Sequence, residues 1–140
     1  QPIVYDAGVN EERMPEWDRR LDDGAALFHG DNIQHRFLPP DAPYTMLPPQ
    51  ICAEEKRDLE TIAAILARGG ADYRVILAPT PKLYLLTDVD ERVLGNVFGE
   101  RFVNLSRDFR AEQSDASNFY DTIHYRPRLA CRYMEKAYRK

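Results

Sequence analysis

The most constraining feature of this sequence is the apolar run Val75-Ile76-Leu77-Ala78, bounded by Gly69-Gly70 before it and Pro79-Thr80-Pro81 after it. A short unbroken apolar run between turn signals is the pattern of a strand buried on both faces. Such a strand needs hydrogen-bonded neighbours and helical cover. The cover is easy to find. Residues 51–70 read as a helix with Cys52, Leu59, Ile62, Ala63 and Leu66 on one face, acid early (Glu54, Glu55, Asp58), Arg68 late and the glycine pair as its stop. Asp88 to Phe98 reads as a second helix, with Val93, Leu94 and Val97 inward and Gly99 as its end. Pro127 suits a helix start, and Ala130, Tyr133, Met134, Ala137 and Tyr138 follow at helical spacing.

The neighbours are harder to find. Phe102 to Leu105 reads as a second strand, and Ala25 to Phe28 as a possible third. Helix, strand, helix, strand, loop, helix from residue 51 onward predicts an α/β fold with a parallel sheet. Two or three strands make only part of it. The expectation is a partial three-layer sandwich, completed by a preceding segment or another chain. Residues 1–50 form an irregular segment with a short helix over Glu11 to Leu21. A loop follows from Asp31 to Gln50, where Pro39, Pro40, Pro43, Pro48 and Pro49 block regular elements. Ser106 to Asn118 reads as polar loop.

Composition removes several function classes. The chain has 140 residues, 44% of them hydrophobic and 30% charged, which is the balance of one globular domain. Its formal net charge of -4 argues against a nucleic-acid partner. No apolar stretch approaches the roughly 20 residues of a membrane span. The basic residues from Arg126 to Lys140 fit a solvated helix face. His29, Asp31 and His35 lack a ligand pattern and read as solvated loop residues, so no metal and no organic cofactor is expected. Cys52 and Cys131 are compatible with one bridge or with two buried free thiols. A chain opening on Gln1 without a signal peptide reads either as processed or as part of something longer.

The informative stretch for chemistry is Asn118-Phe119-Tyr120-Asp121-Thr122-Ile123-His124-Tyr125-Arg126-Pro127. An aspartate and a histidine three residues apart can pair through the imidazole Nδ1–H. That would leave Nε2 as a base, the acid–base half of a Ser-His-Asp triad. The ordinary alternative is a turn aspartate beside a surface histidine. The run Phe119-Tyr120-Asp121-x-x-His124-Tyr125-Arg126-Pro127 resembles the last block of the SGNH (GDSL-like) hydrolase superfamily. It looks most like bacterial members related to surface-polysaccharide acyltransferases and esterases. The likeness extends over residues 51–140, as the fold's final strand–helix units, with only the Asp-x-x-His-Tyr-Arg-Pro run specific.

The resemblance implies Asp121 and His124 as catalytic residues, acyl or acetyl ester chemistry, an exported carbohydrate ester as substrate, and a periplasmic, cell-surface or secreted setting. Tyr120 and Tyr125 are the candidates for stacking on a sugar. The family's nucleophile sits in a Gly-Asp-Ser motif, and here Gly30-Asp31-Asn32 is the nearest string, with asparagine at the decisive position. Roughly 40 residues separate it from the strand near Arg74, too few for two more strand–helix units. Ser106, Ser114 and Ser117 have no nucleophilic role in the family. The serine is therefore expected outside this chain. The alternative is a catalytically inactive module serving as a structural subunit or binding platform.

One expectation concerns assembly. Because the strand at 75–78 lacks neighbours in this chain, the 140-residue piece alone should not form a well-folded monomer. Size-exclusion chromatography with amide exchange checks this, and a compact monomer with strongly protected amides at Val75 to Ala78 would contradict it.

Overall fold

The computed structural model describes residues 37–139, together with 4–6, 11–13, 15, 16 and 19. It is a mixed α/β structure with two short parallel two-stranded sheets. The elements are β1 (Val4–Asp6), β2 (Glu11–Arg13), β3 (Thr45–Met46), α1 (Ala53–Arg68), β4 (Val75–Leu77), β5 (Tyr84–Leu85), α2 (Asp88–Phe98), β6 (Phe102–Asn104), α3 (Arg110–Ser114) and α4 (Pro127–Tyr138). Single 3₁₀ turns span Gly99–Arg101 and Ala116–Asn118.

The expected strands at residues 74–78 and 102–105 pair with each other in parallel, with Val75, Ile76 and Leu77 opposite Phe102, Val103 and Asn104. Side-chain alternation then sorts the layers. Ile76, Ala78 and Val103 pack on the cluster of Phe37, Leu105, Phe119, Leu129 and Tyr133, which brings α4 and the loop before it onto one face. Phe102 and Asn104 instead line a groove of about 630 Å³ with Asp88, Glu91, Arg92, Gly95 and Asn96 of α2. Helix α1 packs beside α2. Among the described residues β4 pairs with β6 alone, and its three residues are only half-buried, short of the double burial the apolar run predicts.

Helix α1 stops at the predicted glycine pair, but it starts after Cys52, which the sequence places on the helix's apolar face. Cys52 is its N-cap, with Sγ accepting the Glu54 N–H at 3.4 Å, and Glu55 Oε2 accepts the Cys52 N–H at 3.0 Å. At the other end Gly70 takes φ +62°, and the N–H groups of Gly70 and Ala71 return to the carbonyls of Ala67 and Leu66 at 3.1 Å. The apolar face fares differently. Leu59, Ala63 and Leu66 are half-buried, Ile62 is 48% exposed, Ile65 is 53% exposed, and no residue of α1 is buried. Cys52 is a cap at the surface, and both cysteines are exposed free thiols, neither bridged nor buried.

The proline-rich segment is ordered by contacts from elsewhere. Met46 and its neighbours run parallel to β5, with Thr45 N–H donating to Leu83 O at 3.0 Å and Leu47 N–H to Leu85 O at 2.8 Å. Arg110 donates to the carbonyls of Pro40 and Ala42. Asp90, fully buried in the first turn of α2, takes the Gln50 N–H on Oδ2 and the Ile51 N–H on Oδ1, each at 3.0 Å. Its Oδ2 also accepts from Thr87 Oγ1 at 2.9 Å, while that oxygen caps the Asp90 N–H at 3.1 Å. Burial acts to raise the Asp90 pKa. The hydrogen bonds from Gln50, Ile51 and Thr87 outweigh it, so the pKa is lowered.

Other expectations change. Glu11–Arg13 is a strand paired with β1, where the sequence predicts the start of a helix, and Pro15 and Glu16 are helical only after it. The 106–118 region contains α3, whose polar sequence has no apolar period to announce it. Helix α4 turns Leu129, Tyr133 and Ala137 inward and leaves Met134 and Tyr138 partly exposed. The possible strand Ala25 to Phe28, the Gly30-Asp31-Asn32 string and His29, Asp31 and His35 lie outside the described residues.

Asp90→Ala should destabilise the protein by about 1–2 kcal/mol, because it removes the acceptor of two partly buried backbone N–H groups and of a hydroxyl. The sign with pH follows from the lowered pKa. The contribution is complete above the unfolded-state value, ordinarily about 3.9. It is lost as pH falls through the folded-state value. Denaturant melts of both proteins should therefore differ near neutrality and converge in acid.

Candidate functional site

The segment carrying Asp121 and His124 leaves the 3₁₀ turn at Ala116–Asn118 and returns into α4. Its base is a short antiparallel closure. Phe119 bridges Tyr125, the Tyr120 N–H donates to His124 O at 2.8 Å, and the Arg126 N–H donates to Asn118 O at 2.8 Å. Phe119 anchors it in the core against Phe37, with ring centroids 5.4 Å apart.

Within the loop Asp121 organises everything nearby. Its Oδ1 accepts the N–H groups of Ile123 and His124, both at 2.7 Å, the local turn chemistry that aspartate favours. Its Oδ2 lies 2.7 Å from His124 Nδ1. Partial burial pushes the Asp121 pKa up. The His124 N–H, the imidazole bond and the Ile123 N–H together reverse that, and the adjoining imidazole adds to them, so the pKa is lowered. An ionised carboxylate only accepts hydrogen bonds, so Nδ1 must carry the proton, and in the neutral ring Nε2 is then the basic nitrogen. The His124 side chain is 70% exposed and that of Asp121 38% exposed, so the imidazole stands out from the core.

The other candidates divide. Tyr125 is 40% exposed and sets its ring edge-on to Tyr133 at 5.2 Å. Tyr120 is 7% exposed and has no open ring face for a sugar, so only Tyr125 keeps the position expected of a stacking residue. Each nearby serine is engaged away from His124. Ser106 is buried and donates to Asn104 Oδ1 at 2.6 Å, Ser114 donates to Arg110 O at 3.4 Å, and Ser117 Oγ accepts from Arg128 at 2.8 Å. Tyr133 offers no base either. Burial, then the proximity of Tyr125 and Glu112, push its hydroxyl pKa far above the usual value.

Arg128, Arg132, Lys136 and Arg139 are exposed, as a solvated basic face predicts, and Arg126 departs from it. Arg126 is buried, with Nη1 donating to Ser117 O at 3.3 Å. Arg128 Nε donates to Asn118 Oδ1 at 3.1 Å. Both arginines hold the base of the loop, Arg126 from a buried position and Arg128 from the exposed face. Their signal in the sequence is Arg126-Pro127-Arg128, one residue after the Asp-x-x-His spacing, which periodicity cannot distinguish from a charged helix start.

Surface grooves among the described residues include the one beside β6 and one of about 420 Å³ lined by Asp72, Arg74, Phe98, Glu100 and Arg101. Neither is lined by the Asp121–His124 pair. Among the described residues no cluster of three or more His, Cys, Asp or Glu side chains could hold a metal ion, and no helix is long and apolar enough to cross a membrane. No family model, curated protein or solved structure matches this chain.

Asp121→Ala should free the Ile123 and His124 amides, and amide exchange at those two residues should accelerate at least tenfold while core amides stay unchanged, since each loses about 1.4 kcal/mol or more of local protection. In the unaltered protein the same amide signals should report Asp121 protonation at a pH below its ordinary value of 3.8.

Proposed function

We propose that this chain carries the acid–base half of an SGNH-type serine esterase or O-acyltransferase acting on acyl, chiefly acetyl, esters of exported carbohydrate. The observation that carries this reading is the Asp121–His124 arrangement. A carboxylate holds Nδ1 at 2.7 Å, and the ring is largely open to solvent. An ordinary surface histidine needs no such support. The likeness of residues 119–127 to the superfamily's last block supports the same assignment.

In the proposed reaction a serine from outside this chain attacks the acyl carbonyl carbon while His124 Nε2 takes its hydroxyl proton. Asp121 stabilises the imidazolium that forms. Collapse of the tetrahedral species breaks the ester C–O bond, and Nε2 returns the proton to the departing alcohol. Water, or an acceptor hydroxyl in a transferase, then attacks the acyl-serine with the same proton relay and frees the serine. Helices on opposite faces of the β4–β6 pair fit part of a three-layer sandwich. The remaining strands, the serine and the oxyanion donors would come from a preceding segment or another chain.

A second reading, an inactive module acting as a subunit or binding platform, draws on the engagement of Ser106, Ser114 and Ser117 elsewhere and on the uncovered isoleucines of α1. Kinetics on the complete protein with p-nitrophenyl acetate separates the two. His124→Ala should lower kcat about a thousandfold with the melting temperature unchanged, and Asp121→Asn about a hundredfold. Hydrolysis that survives His124→Ala would sink the esterase reading.

A further inference from the structure

Asp121 fixes His124 relative to itself, but its bonds are all local, so something else must fix the loop relative to the fold. Asn118 stands where this has to happen. It is buried, and its backbone and side chain make four hydrogen bonds to four different partners. Its N–H donates to Asp115 O at 3.0 Å and its carbonyl accepts the Arg126 N–H at 2.8 Å. Its Nδ2 donates to Glu112 O at 3.1 Å, and its Oδ1 accepts from Arg128 Nε at 3.1 Å. Arg128 Nη2 adds donations to Ser117 O at 3.1 Å and Ser117 Oγ at 2.8 Å. Glu112 belongs to α3 and is paired with Arg132 of α4. The two ends of the loop are thus tied to each other and to two helices through the Asn118 amide and the Arg128 guanidinium, beside the Arg126 bond to Ser117 O.

We propose that Asn118 and Arg128 are positioning residues that set where His124 Nε2 points, rather than general stabilisers of the fold. This rests on the esterase reading above for its catalytic consequence, though not for its structural one. The chemistry of the two side chains suits the task. An amide both donates and accepts, as the Glu112 carbonyl and the Arg128 Nε–H require of Asn118, and a guanidinium presents several N–H groups in a fixed plane. Neither residue touches the Asp121–His124 pair, so the hydrogen bond that fixes the imidazole tautomer does not depend on them. Losing the clamp should leave the tautomer intact and let the tip of the loop shift about its Phe119 anchor, and a displacement of about 1 Å at a reacting atom is enough to cost one or two orders of magnitude in rate.

The test uses the full-length protein with Asn118→Ala, Arg128→Ala and Arg128→Lys. Backbone ¹⁵N relaxation over residues 119–125 and the His124 ring ¹⁵N shifts are recorded beside p-nitrophenyl acetate kinetics. Arg128, exposed at the first turn of α4, provides the variant least able to unfold the protein. Arg128→Ala should raise loop mobility, keep the Nδ1–H tautomer, and lower kcat about tenfold or more with KM unchanged. Arg128→Lys, which can retain one of the three side-chain hydrogen bonds, should recover part of both. A folded Arg128→Ala protein with unchanged loop relaxation and unchanged kcat overturns the proposal, as does a loss of stability with no change in either. If the unaltered protein hydrolyses no ester, the esterase reading fails, while the relaxation data still decide the clamp.

Discussion

A carboxylate buried at the start of a helix survives only when every oxygen is used, and Asp90 meets that demand with groups from two places in the chain. It accepts the N–H groups of Gln50 and Ile51 and the Thr87 hydroxyl, and the positive end of α2 stands behind it. The consequence reaches well beyond capping. The segment from Thr45 to Ile51 would otherwise be a proline-interrupted strap with few backbone donors to place. Asp90 fixes its end and so fixes where Cys52 starts α1. Helix α2 in turn lies against β6, whose carboxyl end leads through Leu105 and Ser106 into α3.

From α3 the same logic passes to the loop that bears Asp121 and His124. Buried polar groups there are again shared among segments distant in sequence, with Asn118 as the junction. The tip of that loop bears an exposed imidazole and an exposed isoleucine, while Phe119 and Tyr120 at its start are buried. Hydrogen bonds at its base add to that anchorage. That division separates two jobs usually credited to one residue: Asp121 governs the state of the imidazole, and the base of the loop governs its direction.

The outer surface of α1 and the strand β4 have the character of elements made to be covered. Two isoleucines stand about half exposed on a helix that buries no residue, beside a sheet that pairs only two strands among the described residues. Apolar strand residues that are only half-buried gain only part of the stabilisation their burial could give. This agrees with the proposal that further strands complete the sheet, and it gives the apolar run at 75–78 a physical reason.

The sequence by itself determined what depends on neighbours a few residues away. The stop of α1 follows from a glycine pair and the acidic start from Glu54 and Glu55. The span of α2 follows from Thr87 and Gly99, the start of α4 from Pro127, and the contact between Asp121 and His124 from a spacing of three in a turn. Only the tertiary structure decided which stripe of α4 faces inward, since Leu129 and Met134 are both apolar and the position of Phe119 and Phe109 selects between them. It also decided that Tyr120 is buried, that Glu11–Arg13 pairs as a strand, and that the polar residues after Arg107 form a helix. Asp90 and Asn118 were illegible for the same reason. Gln50 lies 40 positions from Asp90, and Arg128 lies 10 from Asn118. A hydrogen bond across such a gap leaves no periodicity in the chain, because its geometry exists only once the intervening segments have packed.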